Sequence, residues 1–183
     1  MRKIVAGLFI SLDGVYEAPH EWHFPYFDDA MGRAVDEQMQ AADAMLLGRV
    51  TYEEFASYWP HAKDDPELAA HMNETPKYVV SSTLERADWR NTTLIAGDNV
   101  VAELRKLKAQ PGKNIGITGS GTLVRSLLRE GLLDELRLLV HPIAVGSGKR
   151  LFPDGSNQQP LQLVDSQTFD TGVLYLTYQP AAE

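Results

Sequence analysis

The sequence contains no cysteine. It therefore has no disulfide framework, no thiol nucleophile and no thiolate metal site, and it cannot build the cysteine-ligated zinc site of nucleobase deaminases. A cysteine-free chain fits a reducing compartment, so we expect the protein to be cytoplasmic. No stretch approaches the ~20 apolar residues that a membrane span needs. The apolar run after Arg2 and Lys3 is β-branched and lacks a small-residue cleavage site, so we predict a buried first strand there rather than a signal peptide.

Basic residues are scarce relative to acidic ones. The 17 Lys and Arg are outnumbered by 25 Asp and Glu, which gives a formal net charge of −8 and a pI near 5.1. This charge disfavours binding to a phosphate backbone or to an anionic membrane surface. We therefore expect neither nucleic acid nor a membrane as a partner, and a small molecule as the substrate.

The length and the hydrophobic pattern indicate one mixed domain. The 183 residues, 44% of them apolar, suffice for a single core, and we expect residues 1–183 to form one domain. Helical spacing of apolar residues over 27–42 alternates with short apolar runs, which lie at 45–47, 78–80 and 115–117. Alternating segments at 161–169 and 173–178 predict an antiparallel hairpin. We predict an α/β fold, with a mostly parallel central sheet, helices on both faces and an antiparallel C-terminal hairpin.

Small and hydroxyl-bearing residues follow three of the predicted strands. The segments are Gly48-Arg49-Val50-Thr51, Ser81-Ser82-Thr83 and Gly119-Ser120-Gly121-Thr122. Thr51 and Glu54 have capping-box spacing, which predicts a helix that begins at Thr51. In open α/β sheets, ligands bind beyond the carboxyl ends of strands, where the N–H groups of helix N-termini favour anions. Together, the three segments could hold the phosphates of a nucleotide.

Two common phosphate-binding motifs are missing. The Gly-x-Gly-x-x-Gly pattern fails because Val124 stands at the third glycine position, and no Gly-Lys-Ser or Gly-Lys-Thr occurs. Gly119-Ser120-Gly121 is therefore either a plain tight turn or part of a different phosphate site. Arg49 is likewise either a solvated surface charge or a phosphate ligand.

Other polar residues have simple structural interpretations. His20 and His23 do not form the helical His-Glu-x-x-His array, so we expect no metal. Asp28 and Asp29 either favour the positive end of a helix dipole or line a pocket. Asp13 is most simply a turn residue.

Several segments, taken in order, resemble one family. They are Val5-Ala6-Gly7, Ser11-Leu12-Asp13-Gly14, residues 46–53, Ser81-Ser82, and Gly119-Ser120-Gly121-Thr122-Leu123 followed by residues 131–137. This order resembles the dihydrofolate reductase superfamily. Within it, the chain is most similar to the reductase domain of bifunctional riboflavin-biosynthesis proteins and to stand-alone bacterial dihydrofolate reductase family proteins. The resemblance extends from Ile4 to about Tyr178.

The resemblance implies a dihydrofolate reductase-like three-layer fold and an NADPH-dependent reductase. The residues that match the family's cofactor-binding segments are Val5, Ala6, Gly14, Gly48, Arg49, Thr51, Ser81, Ser82, Thr83, Gly119, Ser120, Gly121, Thr122 and Leu123. Residues 48–51 match a segment that holds the cofactor's phosphates, and 81–83 match the region of the adenosine and its 2′-phosphate. Residues 119–123 match the segment under the pyrophosphate, and Val5, Ala6 and the 13–14 loop match the nicotinamide region.

The substrate side is expected at Asp13, Trp22 and Asp28, because the first loop and the first helix converge above the nicotinamide in the family's fold. Three functions stay open. The first is a reductase of a small heterocyclic or carbonyl-type substrate. The second is the riboflavin-pathway 5-amino-6-(5-phosphoribosylamino)uracil reductase, which needs basic side chains facing the pocket. The third is a non-catalytic NADPH-binding module, which would bind cofactor without turnover.

The C-terminal hairpin also predicts an oligomer. Alternation over 161–169 and 173–178 would leave an apolar face or an open edge that a monomer has to cover. The family resemblance points the same way, and we expect a homodimer that forms through this region.

Overall fold

The computed structural model of the chain describes residues 1–182. Glu183, which the predicted domain range includes, lies outside the described residues. Within them, eight strands form one sheet. The strands are β1 (Ile4–Ser11), β2 (Ala42–Gly48), β3 (Lys77–Ser81), β4 (Thr92–Ala96), β5 (Asn114–Thr118), β6 (Glu135–His141), β7 (Leu161–Thr168) and β8 (Leu174–Pro180). The α-helices are α1 (Asp29–Gln40), α2 (Arg49–Tyr58), α3 (Pro66–Glu74), α4 (Val100–Ala109) and α5 (Gly121–Arg129).

The strands lie in the order β4-β3-β2-β5-β1-β6-β8-β7. All neighbours from β4 to β6 are parallel, and β8 is antiparallel to both β6 and β7. The predicted α/β fold, with a mostly parallel sheet and an antiparallel C-terminal hairpin, is therefore confirmed. Over residues 1–182, none of the helices combines the length and the apolar character that crossing a membrane requires.

The helices cover both faces of the sheet. Leu104 of α4 and Val124 of α5 are buried in one core cluster with Ile4 and Ala6 of β1. On the other face, Met31 of α1 is buried in a second cluster, and residues of α2 and α3 pack in a third around β2 and β3. Since β1 is central, its alternate residues are buried on opposite faces, as expected for a strand of a parallel sheet.

The start of α2 differs from the prediction. The helix begins at Arg49, two residues before Thr51, and Gly48 is its N-cap residue. The Thr51 hydroxyl does not cap the helix, because it accepts a hydrogen bond from Ser120 Oγ at 2.8 Å. The predicted capping box is therefore wrong, and the first turn of α2 has no side-chain cap.

Lys77 is a fully buried charged residue at the start of β3. Its ammonium donates hydrogen bonds to the carbonyl oxygens of Met72, Asn73 and Thr75 at 2.9, 3.0 and 2.9 Å. The same group lies 4.2 Å from the centroid of the Trp89 ring. Lys77 therefore helps to satisfy the carbonyl groups at the C-terminus of α3, where the Asn73 carbonyl also accepts from Asn91.

Candidate functional site

A cavity of about 820 Å³ lies over the sheet beside α1 and α2, and it reaches the first turns of α5. Its lining includes residues of the three adjacent strands β2, β5 and β1, and it extends to β6. The volume is in the upper part of the range of small-molecule sites, about 300–1,000 Å³. Such a cavity has room for more than one small group.

Two helices begin at the same edge of this cavity. α2 follows β2 directly, and α5 follows β5 after a two-residue turn. Because β2 and β5 are neighbouring parallel strands, both N-termini lie side by side, and neither has a side-chain cap. We call residues 48–51 and 119–123 the paired N-termini. Their first N–H groups lack helical partners, and the two dipoles favour negative charge.

The turn before α5 holds the paired N-termini together. Gly119 and Ser120 both have left-handed backbone conformations, with φ of 64° and 55°. Such a conformation is uncommon for a serine, and strained backbone of this kind concentrates at functional sites. The Ser120 hydroxyl accepts from the Gly48 N–H at 3.0 Å and donates to Thr51 Oγ1 at 2.8 Å. The two helix starts are therefore cross-linked by one side chain.

Gly121 is required at the first position of α5. A Cβ at this residue would overlap the ring of Tyr16, which packs against it from the loop after β1. Tyr16 also lines the cavity. The loop after β1 therefore lies directly over the start of α5.

Arg49 is the first residue of α2 and lines the cavity. Its guanidinium is exposed and pairs with Glu53 at 2.8 Å, one turn further along the helix. An exposed pair of this kind contributes little to stability. The guanidinium is therefore available to a stronger anion at the helix N-terminus.

The structure brings most of the predicted cofactor residues into this cavity. Those that line it are Val5, Gly48, Arg49, Thr51, Gly119, Ser120, Gly121, Thr122 and Leu123. Five others do not: Ala6, Gly14, Ser81, Ser82 and Thr83. The side chain of Ala6 belongs to the core on the opposite face of the sheet.

Ser81 ends β3, and Ser82 and Thr83 follow it in a turn. The Ser81 hydroxyl accepts hydrogen bonds from the N–H groups of Thr83 and Leu84, both at 3.1 Å, so it is used within its own loop. Ser82 and Thr83 are exposed, and they follow β3, which is the neighbour of β2 in the sheet. Their hydroxyls lie at the same sheet edge as the paired N-termini without lining the cavity.

The three residues predicted for the substrate side do not line the cavity either, and each has a structural contact. Asp28 caps α1 by accepting from the Met31 N–H at 2.8 Å. Trp22 is buried, with Nε1 donating to the Glu17 carbonyl and its ring edge-on to His141. Asp13 joins two loops. The assignment of these three residues to the substrate side stays a prediction, and the polar groups that do line the cavity come from other elements.

Asp13 connects the loop after β1 to the loop after β6. Its carboxylate accepts from the hydroxyl of Ser11 and from the N–H groups of Val145 and Gly146, the last two at 3.0 and 2.8 Å. These hydrogen bonds, that from Ser11 being the largest effect, lower the pKa of Asp13 from 3.8 to about 2. The ionised carboxylate therefore holds the two loops together.

We expect Asp13→Asn to flatten the acid side of the stability profile. The folded-state pKa lies below the ordinary value, so the carboxylate stabilises the fold above 3.8 and this contribution is lost as the pH falls through about 2. Thermal unfolding of both proteins from neutral to acid pH measures the difference. If the two stability profiles were parallel throughout, the Asp13 contacts would not stabilise the fold.

Sequence reasoning missed the polar residues that face the cavity between α1 and β6. Gln38 of α1 and Arg137 of β6 both line it, beside the apolar side chains of Phe9 and Leu139. We call this region, together with Gly7 of β1, the inner compartment. One signal was present, because Arg137 stands between two leucines, Leu136 and Leu138, in β6. Within residues 1–182, no cluster of three potential metal ligands occurs.

Comparison with known proteins identifies the family. The chain matches the RibD C-terminal domain over residues 2–175. It is 33% identical over 181 residues to the uncharacterized protein YyaP of Bacillus subtilis (strain 168), covering 97% of this chain and 94% of that relative.

Solved structures share the architecture. A putative riboflavin biosynthesis protein from Shewanella sp. PV-4 has a TM-score of 0.74 at 20% identity, covering 98% of this chain and 99% of that chain. A dihydrofolate reductase from Enterococcus faecalis, complexed with NADP(H), has a TM-score of 0.65 at 16% identity, covering 98% of this chain and 97% of that chain. The fold is therefore dihydrofolate reductase-like, and the chain belongs to the RibD C-terminal domain family.

Proposed function

We propose that the protein is a cytoplasmic NADPH-dependent reductase of a small heterocyclic or carbonyl-type substrate. The observation that carries the proposal is the paired N-termini, two uncapped helix starts cross-linked by Ser120 at the edge of a large cavity. This arrangement suits a pyrophosphate, because the first N–H groups of α2 and α5 lack helical partners and the positive ends of both helix dipoles lie side by side at one edge of the cavity. NADP(H) in the Enterococcus faecalis protein, which shares the fold, supports the choice of cofactor.

Different residues along the cavity would bind different parts of the cofactor. The paired N-termini would hold the phosphates, and Arg49 would bind the 2′-phosphate with Ser82 and Thr83 as the next candidates. Val5 of β1 and the Gln38 amide that packs over Gly7 would contact the nicotinamide ring. When bound, NADPH supplies the hydride. The apolar side chains around the inner compartment would exclude water from the reacting groups.

A calorimetric titration with NADPH, followed by an assay of NADPH oxidation on a panel of small heterocycles and carbonyl compounds, tests the proposal. We expect saturable binding of one NADPH per chain and turnover of at least one compound. Binding without turnover of any compound would favour the non-catalytic NADPH-binding module. The absence of saturable binding would contradict every form of the proposal.

Family membership favours one second candidate, the riboflavin-pathway 5-amino-6-(5-phosphoribosylamino)uracil reductase. Its phosphorylated substrate needs basic groups, and the inner compartment presents Arg137 already paired with Glu135. Including this substrate in the panel separates the two candidates, since selective turnover of it would favour the riboflavin pathway.

We expect the protein to be a homodimer that forms through its C-terminal strands. β7 is an edge strand that pairs only with β8 within residues 1–182, and Leu163 and Val164 on it are 49% and 45% exposed. Exposed apolar residues on an open edge favour association with a second copy. Light scattering should give twice the chain mass of 20.3 kDa, and the double variant Leu163→Lys, Val164→Lys should be monomeric. A monomer mass for the wild-type protein at micromolar concentration would contradict this expectation.

A further inference from the structure

Arg137 is a half-buried cation on the floor of the inner compartment. Its neighbour across the β1–β6 pairing is Gly7, which also lines the cavity. Gln38 of α1 reaches over Gly7, where a Cβ would overlap its amide oxygen. Its amide nitrogen donates to the Tyr175 hydroxyl at 2.8 Å. Polar atoms of α1, β6 and β8 therefore lie close together within an otherwise apolar wall.

The charges around Arg137 do not cancel. Glu135 accepts from Arg137 Nε and Nη2 at 3.1 and 2.7 Å, both through one carboxylate oxygen. Its other oxygen accepts from Lys3 at 2.9 Å. One buried carboxylate is thus shared by two cations, and one positive charge is left over. Burial alone would lower the pKa of Arg137, but Glu135 and Tyr175 outweigh burial and raise that pKa, so the guanidinium stays charged.

The guanidinium also keeps hydrogen-bonding capacity. An arginine carries five N–H donors. Within residues 1–182, Glu135 takes two of them, through Nε and Nη2. Both N–H groups on Nη1 are left over by Glu135, and because Arg137 lines the cavity they can donate to a carboxylate there.

We propose that the inner compartment binds a substrate that carries a single carboxylate, with Arg137 as the anchoring residue. The inference rests on the proposed reductase function, because it concerns the substrate side of the same cavity. A monoanion matches the one unpaired positive charge, whereas a dianion would exceed it. The neighbouring Phe9, Val35, Met39 and Leu139 side chains favour an apolar and flat remainder of the molecule.

Benzoate and its neutral isostere benzamide are suitable probes, because they share size and shape and differ in charge. With NADP⁺ present, we expect benzoate to bind the wild-type protein about 10- to 100-fold more tightly than benzamide, as charge-assisted hydrogen bonds predict. Arg137→Met should abolish this preference. Arg105→Met is the matched control, because Arg105 is an exposed residue of α4 outside the cavity, and the preference should persist in it.

Two further measurements keep the outcomes distinct. If Arg137→Met fails to fold, the double variant Arg137→Met, Glu135→Gln removes the charge without leaving a buried carboxylate, and it should also lose the preference. A preference that survives in either variant would overturn the assignment to Arg137. If NADPH binds and benzoate has no advantage over benzamide in the wild type, only this inference fails. If NADPH itself does not bind, the proposed function fails.

Discussion

Replacing Arg49 with alanine is expected to weaken NADPH binding about 10- to 150-fold and to leave NADH binding nearly unchanged, from a loss of roughly 1.5–3 kcal/mol. Arg49 begins α2 and lines the cavity, where its guanidinium and the helix dipole act on the same anion. NADH has no 2′-phosphate to receive this contact, so the loss should be selective. Calorimetry with both cofactors measures it.

Two controls define what the Arg49 result means. Glu53→Gln removes the carboxylate that competes for the guanidinium, so NADPH should bind that variant at least as well as the wild type. Arg105→Ala makes the same change in net charge away from the cavity and should not alter the preference for NADPH over NADH.

Salt should weaken binding of NADPH to the wild type, because the contact between Arg49 and the 2′-phosphate is electrostatic. An equal loss of both cofactors in Arg49→Ala would mean that Arg49 holds the pyrophosphate or the fold, with Ser82 and Thr83 as the next candidates for the 2′-phosphate.

Lys77→Met is expected to lower the free energy of unfolding by about 1–3 kcal/mol. The ammonium is fully buried and donates to three carbonyl oxygens at the end of α3. Methionine fills a similar volume but has no donor, so the Met72 and Thr75 carbonyl oxygens would lose their hydrogen bonds to Lys77, whereas the Asn73 carbonyl keeps one from Asn91. Urea unfolding at neutral pH measures the change.

The matched control for Lys77 is Lys106→Met on α4. Lys106 is 70% exposed and pairs only with Glu103, one turn back, among the described residues. An exposed pair of this kind contributes little, so the control should shift the free energy of unfolding by less than about 0.5 kcal/mol. If Lys77→Met shifted it by a similarly small amount, the carbonyl oxygens of α3 would have to be satisfied in another way.

The fold was predictable because its signals are local. Short apolar runs followed by Gly48 and Gly119 mark strands that lead directly into helices, and this pattern also placed the paired N-termini. The helix start at Thr51 was wrong because its hydroxyl bonds to Ser120, 69 residues away in sequence. A local pattern carries no information about such a partner.

The inner compartment was not predictable for the same reason. Asp13, Trp22 and Asp28 have residue types that suit chemistry, yet their polar groups are used by loop and cap contacts. Gln38 and Arg137, which do line the inner compartment, come from a helix and a strand 99 residues apart. The register of β1 with β6 places Gly7 beside Arg137, and Gln38 packs over Gly7. Only these tertiary contacts show that Gln38 and Arg137 share one wall of the cavity.

The most direct test of the account is a crystal structure of the protein with NADP⁺ bound. We predict the pyrophosphate against the N–H groups of residues 48–51 and 119–123, the 2′-phosphate at Arg49, and the nicotinamide ring against Val5 and Gln38, at the entrance to the inner compartment that Arg137 lines. A dinucleotide bound away from the paired N-termini, or a nicotinamide ring that does not reach Val5, would contradict this arrangement.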